Sequence, residues 1–147
     1  MAKTILTNLP TDTLTYIEPF FGSGAVLFAT KGDNNLKAFQ RFAVNDLDGS
    51  ITTFFRCLRD TPEALERAVG LTPYSLDEFT LCLEHSDDPL EEARRVWVRS
   101  RQSFSGKAGH ASDWSRSSGD SAEWRPNTSL NTEKKLLDFA KSLKGVA

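Results

Sequence analysis

Apolar residues in the first third of the chain cluster into two short runs, and each run ends at small or acidic residues. Residues 15–21 form an aromatic and β-branched run that ends in glycine, which predicts a strand followed by a tight turn. Residues 25–31 predict the start of a helix, and residues 42–44 predict a second short strand ending at Asn45 and Asp46. Strand, turn, helix and strand in this order form a βαβ unit, so the predicted fold class is α/β.

Beyond Asp46 the apolar residues recur with the spacing of helices. A capping side chain precedes each predicted helix of this region. The cap candidates are Asp48 or Ser50, Thr61 before Pro62, Ser75 with Glu78 in a capping box, and Asp88 before Pro89. Residues 103–131 are rich in serine, glycine and charge and predict a long loop. A last helix, marked by Leu136, Leu137, Ala140 and Leu143, is expected to stop at Gly145.

The composition is that of one domain with a hydrophobic core, because the chain has 147 residues of which 39% are hydrophobic. A net charge of -2 argues against binding nucleic acid by bulk charge, although a local basic face is not excluded. No apolar run approaches the length of a membrane span, and the N-terminus has no signal-peptide core. We therefore expect a soluble, cytoplasmic protein.

The two cysteines and two histidines do not form a metal-binding pattern. Cys57 and Cys82 are far apart, and each lies within a helical pattern. His85 and His110 lack ligand-like spacing with either of them. We expect reduced, buried cysteines and no metal site.

The turn after the first predicted strand has the residues of a ligand site. Gly22 and Gly24 allow both a sharp turn and the close approach of backbone N–H groups to a ligand. Glu18 lies near the end of the first strand, where a carboxylate could reach a cationic group of the ligand. Asp46 lies at the end of the second strand, where it could accept hydrogen bonds from ribose hydroxyls. A plain glycine turn without a ligand is the alternative. A dinucleotide site is disfavoured because Leu27 stands where a third glycine is wanted.

Several segments in order along the chain resemble the Dam-like family of adenine-specific DNA methyltransferases. The glycine turn and its acidic neighbours supply the first match. The matching segments are Glu18-Pro19-Phe20, Gly22-Ser23-Gly24, Asn45-Asp46, residues 46–60, residues 71–79 and residues 93–104. They cover most of the chain, and they correspond to the amino-terminal half of the family.

The resemblance implies a fold, a reaction and a set of site residues. The fold would be a partial Rossmann-like methyltransferase sheet: residues 1–60 would bind cofactor, residues 61–131 would form a helical target-recognition insert, and residues 132–147 would return toward the catalytic strand. The reaction would transfer a methyl group from S-adenosylmethionine to the exocyclic amino group of adenine in double-stranded DNA, with the base flipped out of the duplex. The implied cofactor-binding residues are Glu18, Phe20, Gly22, Gly24 and Asp46. Phe20 could equally belong to the core.

A basic stretch lies within the resembling segment of residues 93–104 and just beyond it. It contains Arg94, Arg95, Arg99, Arg101 and Lys107. A solvated helix face, partly neutralised by Glu91 and Glu92, is the simpler explanation. The resemblance favours DNA phosphate contacts for Arg99, Arg101 and Lys107. Trp114 and Trp124 are expected to pack within the long loop, with a DNA-facing surface as the alternative.

The catalytic motif of the family is missing from the sequence. The family orients the target amino group with Asp/Asn-Pro-Pro-Tyr, and no such tetrapeptide occurs here. Leu71-Thr72-Pro73-Tyr74 has one proline and lacks the required amide or carboxylate, so we assign no catalytic residue. We therefore expect a truncated or split chain that depends on a second polypeptide. The alternatives are an inactive DNA- or partner-binding module and a gene fragment without function.

Overall fold

The computed structural model describes residues 2–32, 39–103, 114 and 129–147. Helices and two strands alternate in the first third of the chain, and helices follow. The elements are α1 (Ala2–Leu6), β1 (Thr15–Glu18), α2 (Ala25–Gly32), β2 (Arg41–Val44), α3 (Gly49–Asp60), α4 (Pro62–Gly70), α5 (Leu76–Leu81), α6 (Pro89–Gln102) and α7 (Ser129–Ser142). The predicted βαβ unit and α/β class are confirmed.

The two strands form a parallel sheet, in which Thr15 pairs with Arg41 and Glu18 pairs with Val44. On the other edge of β2, Val146 forms a parallel bridge to Phe42. Two backbone bonds of 2.9 Å, from the Ala147 N–H to Phe42 O and from the Val44 N–H to Ala147 O, hold this segment in place. Residues 146–147 therefore lie beside β2, and β1 is an edge strand among the described residues.

The described helices cover one face of the sheet more completely than the other. Tyr16 on β1 is buried at 6% exposure, whereas the next residue, Ile17, is 68% exposed. Successive residues of a strand point to opposite faces, and a parallel sheet usually has both faces covered. The Tyr16 face joins a core formed with helices α2, α3, α4, α6 and α7, whose buried members include Leu27, Leu58, Leu65, Ala93 and Leu136.

Helix starts follow the predicted caps with two differences. Asp48 accepts from the Ser50 N–H at the start of α3, and Asp88 accepts from the Glu91 N–H at the start of α6. Ser75 accepts from the Glu78 N–H at 3.1 Å, but the Glu78 carboxylate turns to Arg94 instead of completing the capping box. Thr61 makes no side-chain cap bond, although Pro62 follows it as predicted.

The helices of the predicted insert divide between two packing regions. Leu65 and Val69 of α4 and Ala93 of α6 belong to the main core, together with the sheet residues. Phe79, Cys82 and Val98 form a smaller cluster against which Trp114 packs. The expected packing role of Trp114 is confirmed, whereas Trp124 lies outside the described residues. Cys57 and Cys82 are both buried and free, as expected.

The last helix ends close to where the sequence predicts. Leu136, Ala140 and Leu143 are buried, and Gly145 adopts a positive φ of 76° just beyond the helix. Within the described ranges, no helix is long and apolar enough to cross a membrane.

Candidate functional site

The predicted site lies at the carboxyl ends of β1 and β2, where the segments that follow the two strands are hydrogen-bonded to each other. The Asn45 N–H donates to Glu18 O, and the Phe21 N–H donates to Asn45 O, both at 2.9 Å. These bonds extend the contact between the two segments past the strands, to Asn45 directly after β2 and to Phe21 three residues after β1. The glycine turn and the Asn45–Asp46 segment are therefore adjacent, as the order of elements predicts.

Asp46 locks the glycine turn with its carboxylate. Its Oδ2 accepts the Gly22 N–H at 2.7 Å, and its Oδ1 accepts the Asp48 N–H at 3.0 Å. The pKa of Asp46 is lowered because the backbone N–H groups of Asp48 and Gly22 stabilise its charged form. A carboxylate can accept about four hydrogen bonds, so these two leave capacity for ligand hydroxyls.

The two glycines of the turn are required by its geometry. Gly22 has a φ of 50° and Gly24 a φ of 69°, in the left-handed region that side chains disfavour. A Cβ on Gly24 would also lie 2.7 Å from a Phe28 ring atom and 2.8 Å from a Phe21 ring atom. Gly24 therefore lets the turn pack against the aromatic core, while Gly22 presents its N–H to Asp46.

Glu18, at the end of β1, is partly buried and already oriented. The Tyr16 hydroxyl donates to Glu18 Oε2 at 2.7 Å. Both side chains point to the same face of β1 because they are two residues apart. The carboxylate is thus held beside the start of the glycine turn.

Two large apolar side chains border the turn in solvent. Phe20 is 85% exposed, so the alternative that it belongs to the core is wrong. Leu47, next to Asp46, is 96% exposed and was missed by the sequence reasoning. The sequence does contain a feature that indicates this exposure, because Leu47 is an apolar residue between two aspartates in an otherwise polar turn. Such exposure of apolar side chains near converging polar groups is typical of a ligand surface.

A cleft of about 320 Å³ opens beside Asp46 on the β2 side. Of the predicted cofactor residues, only Asp46 lines this cleft, so the cleft does not bring Glu18, Gly22, Gly24 and Asp46 together. The cleft has both apolar walls and guanidinium groups. Its lining residues are Phe21, Val44, Asn45, Asp46, Thr52, Phe55, Arg56, Arg59, Leu143, Val146 and Ala147.

Arg99 is not available for DNA, contrary to the sequence prediction. It is 2% exposed, and its Nη2 donates to Glu92 Oε1 at 2.9 Å while its Nη1 donates to Cys82 O at 2.8 Å. Glu92 is 1% exposed and also accepts the Ser86 N–H. Burial alone would raise the pKa of the Glu92 carboxyl, but hydrogen bonds from the Ser50, Arg99 and Ser86 groups bring it below its usual value. A charge buried with its partner holds α6 to the preceding loop instead of meeting phosphate.

The other two predicted DNA contacts are Arg101 and Lys107. Arg101, on the last turn of α6, is exposed, and its guanidinium lies 4.7 Å from the centre of the Trp97 ring. This stacking holds the side chain at the surface by a cation–π interaction and leaves its N–H groups for an anion. Lys107 lies outside the described residues.

Glu91 of the same helix neutralises Arg94 and Arg95, as the simpler explanation of the basic stretch predicts. Both side chains are only 13% exposed, so the solvated face that this explanation also predicts is wrong. Glu91 accepts from Arg94 and Arg95 at 2.7 and 2.8 Å. Arg94 also pairs with Glu78 of α5 and bonds the Thr72 hydroxyl at 3.1 Å. These contacts join α5, α6 and the loop between α4 and α5. Bonds from Arg94 and Arg95 lower the pKa of Glu91 to about 2.

No metal centre was predicted, and the described part of the chain contains no group of three or more cysteine, histidine or acidic side chains that could hold a metal ion. The geometry therefore centres on the glycine turn and its two carboxylates. The carboxylates and the exposed apolar side chains together match a small ligand with both charged and aromatic parts.

Comparison with known proteins identifies the family. A search of curated proteins finds no match to the chain. The family model described as "D12 class N6 adenine-specific DNA methyltransferase" matches residues 1–137, a span that includes the glycine turn, Asp46 and α6. The match covers most of the 147 residues. The chain belongs to the D12 class N6 adenine-specific DNA methyltransferase family.

Proposed function

We propose that this chain binds S-adenosylmethionine at the glycine turn and serves as the cofactor-binding and target-recognition part of a site-specific DNA adenine methyltransferase. The observation that carries the proposal is the hydrogen bond from the Gly22 N–H to the Asp46 carboxylate. This bond joins the glycine turn to the acidic residue that follows β2. Family membership supplies the reaction class, methylation at the exocyclic amino group of adenine in DNA.

The residues present fit the parts of S-adenosylmethionine. Glu18 offers a carboxylate to the cationic amino-acid portion, and Asp46 offers its remaining lone pairs to the ribose hydroxyls. Phe20 and Leu47 offer exposed apolar surface to the adenine ring. Gly22 and Gly24 keep side chains out of the turn. When bound, the cofactor supplies the methyl group on its sulfonium; the protein binds and orients it.

The target-recognition role is assigned to residues 61–131, as the sequence predicts. Arg101 is the described basic side chain that we propose to contact a DNA phosphate, because it is exposed and fixed by Trp97. Lys107 remains a second proposed contact on sequence grounds. The double-stranded DNA substrate agrees with the family.

We also propose that the strand with Asp-Pro-Pro-Tyr comes from outside these 147 residues, because the tetrapeptide is absent from the sequence. The outer edge of β1 offers a place for a strand. Leu14 and Ile17, at and beside this edge, are 50% and 68% exposed. An added strand would pair with β1 and cover these side chains.

Calorimetric titration with S-adenosylmethionine tests the cofactor site. Wild type should bind, and Asp46→Ala should weaken binding at least tenfold, because it loses the ribose acceptor and frees Gly22. Asp12→Ala, which removes an exposed carboxylate away from the turn, should bind as wild type does. No binding by wild type, or equal binding by wild type and Asp46→Ala, would contradict the proposal.

Methyl transfer to DNA tests whether these residues need an added strand with Asp-Pro-Pro-Tyr for activity. The purified chain alone should transfer no methyl group from S-adenosylmethionine to double-stranded DNA. Adding the carboxyl-terminal part of a D12 enzyme, containing Asp-Pro-Pro-Tyr, should restore transfer. Methyl transfer by the chain alone would contradict the proposal that activity needs a strand from outside these residues.

The absence of the tetrapeptide equally supports a second function, that of an inactive DNA- or partner-binding module. This alternative predicts DNA binding that S-adenosylmethionine does not change and no gain of transfer on complementation. The complementation measurement therefore separates the alternatives.

A further inference from the structure

The Tyr16 side chain connects the buried core of the sheet to the Glu18 carboxylate. Its ring is 6% exposed and packs against Phe39 and Phe42, with ring centres 5.7 and 6.0 Å away. Its hydroxyl reaches Glu18 Oε2 at 2.7 Å. The ring is therefore fixed at one end by aromatic packing, and its polar end meets the carboxylate at the edge of the proposed cofactor site.

The direction of this hydrogen bond is fixed by chemistry. An ionised carboxylate only accepts, so the hydroxyl must donate to it. Burial, together with the bond to Glu18 and its charge, raises the pKa of Tyr16 well above its ordinary value, so the phenol keeps its proton. Among the described residues, no side-chain hydrogen bond occupies Glu18 Oε1. One oxygen is held by the core, and the other is left for a ligand.

We propose that Tyr16 is a positioning residue for S-adenosylmethionine: by donating to Glu18 Oε2 it holds the carboxylate for the cationic amino group of the cofactor. This inference rests on the proposed function of the turn. A glutamate has three rotatable side-chain bonds, and a ligand must otherwise restrict them on binding. Tyr16 restricts them before the cofactor binds, because its own ring is held in the core.

A merely structural role is the competing explanation, in which the bond only satisfies a buried hydroxyl. The two roles differ in which ligands they affect. A positioning role concerns only the amino-acid portion of the ligand, because that is where Glu18 acts. A structural role, acting through the sheet and the turn, affects every ligand of the site.

Two ligands make this distinction in a calorimetric titration. S-adenosylhomocysteine carries the amino-acid portion, whereas methylthioadenosine has the nucleoside and thioether without it. Tyr16→Phe removes the hydroxyl and keeps the ring. We expect Tyr16→Phe to bind S-adenosylhomocysteine about five- to tenfold more weakly than wild type, and methylthioadenosine equally well. Tyr74→Phe, which removes the chain's other tyrosine hydroxyl, should change neither affinity.

Combining Tyr16→Phe with Glu18→Gln completes the test. Because Tyr16 acts through Glu18, the double variant should bind S-adenosylhomocysteine no more weakly than Glu18→Gln alone. Equal weakening of both ligands by Tyr16→Phe, no weakening of either, or additive losses in the double variant would overturn the inference. Failure of wild type to bind S-adenosylhomocysteine would instead refute the proposed function, so the two failures are distinguishable.

Discussion

The Gly22 N–H donates to the Asp46 carboxylate at 2.7 Å, across 24 positions of sequence. This bond ties the turn after the first strand to the residue that follows the second. The donor is a glycine with a positive φ of 50°, a conformation that other residues disfavour. The cofactor site that we propose is therefore organised before a ligand binds, and the cost of ordering the turn belongs to folding.

Gly24→Ala should destabilise the protein by about 2 to 4 kcal/mol, because the new Cβ meets Phe28 and Phe21 and the backbone stays at positive φ. Gly49→Ala is the matched control, since a Cβ there meets no atom within 4 Å. Urea unfolding of both variants measures the difference. Equal stability of the two variants would show that the turn has room that the structure does not indicate.

Arg99→Ala should lower the free energy of unfolding by about 3 to 5 kcal/mol, because it leaves the Glu92 carboxylate buried without its partner. Replacing both residues, by Arg99→Met with Glu92→Leu, should recover much of the loss since no charge is then stranded. Thermal or urea unfolding provides the measurement. If Arg99→Ala kept wild-type stability and lost only DNA affinity, the original assignment of Arg99 to DNA contact would be restored.

Arg101→Ala should weaken binding to a double-stranded DNA oligonucleotide and reduce the salt dependence of binding by about one unit of slope, the value for one phosphate contact. Arg41→Ala, an exposed arginine at the amino end of β2, is the control and should leave the slope unchanged. Fluorescence anisotropy across a salt series measures both. An unchanged slope for Arg101→Ala would remove this residue from the interface.

Glu91→Gln should lower stability by about 1 to 2 kcal/mol near neutral pH, since Arg94 and Arg95 lose their shared partner at a partly exposed site. The folded pKa of Glu91 is about 2, below its ordinary value of 4.5, so its stabilisation is fully present above pH 4.5 and is lost as pH falls toward 2. The difference between wild type and Glu91→Gln should shrink over this range.

The local elements were predictable because their signals are local. An aromatic and β-branched run marked β1, and glycines marked the turn. Asp48, Ser75 and Asp88 marked helix starts through bonds to residues two or three positions away. The candidate site followed for the same reason: strand ends of a βαβ unit meet at one edge, which brings Glu18, Gly22 and Asp46 together.

The tertiary structure decided which charged side chains are buried and which are exposed. Arg99 and Arg101 are two positions apart and have the same chemistry, yet one is buried against Glu92 and the other is exposed over Trp97. Helical spacing separates their faces but does not say which face meets the preceding loop. The same holds for Leu47 and Tyr16, one left in solvent and one buried with its hydroxyl on Glu18. Sequence alone determined the family, the βαβ unit and the site's residue types, because these depend on local order along the chain. Burial and hydrogen-bond partners depend on contacts between distant segments, so only the folded chain decided them.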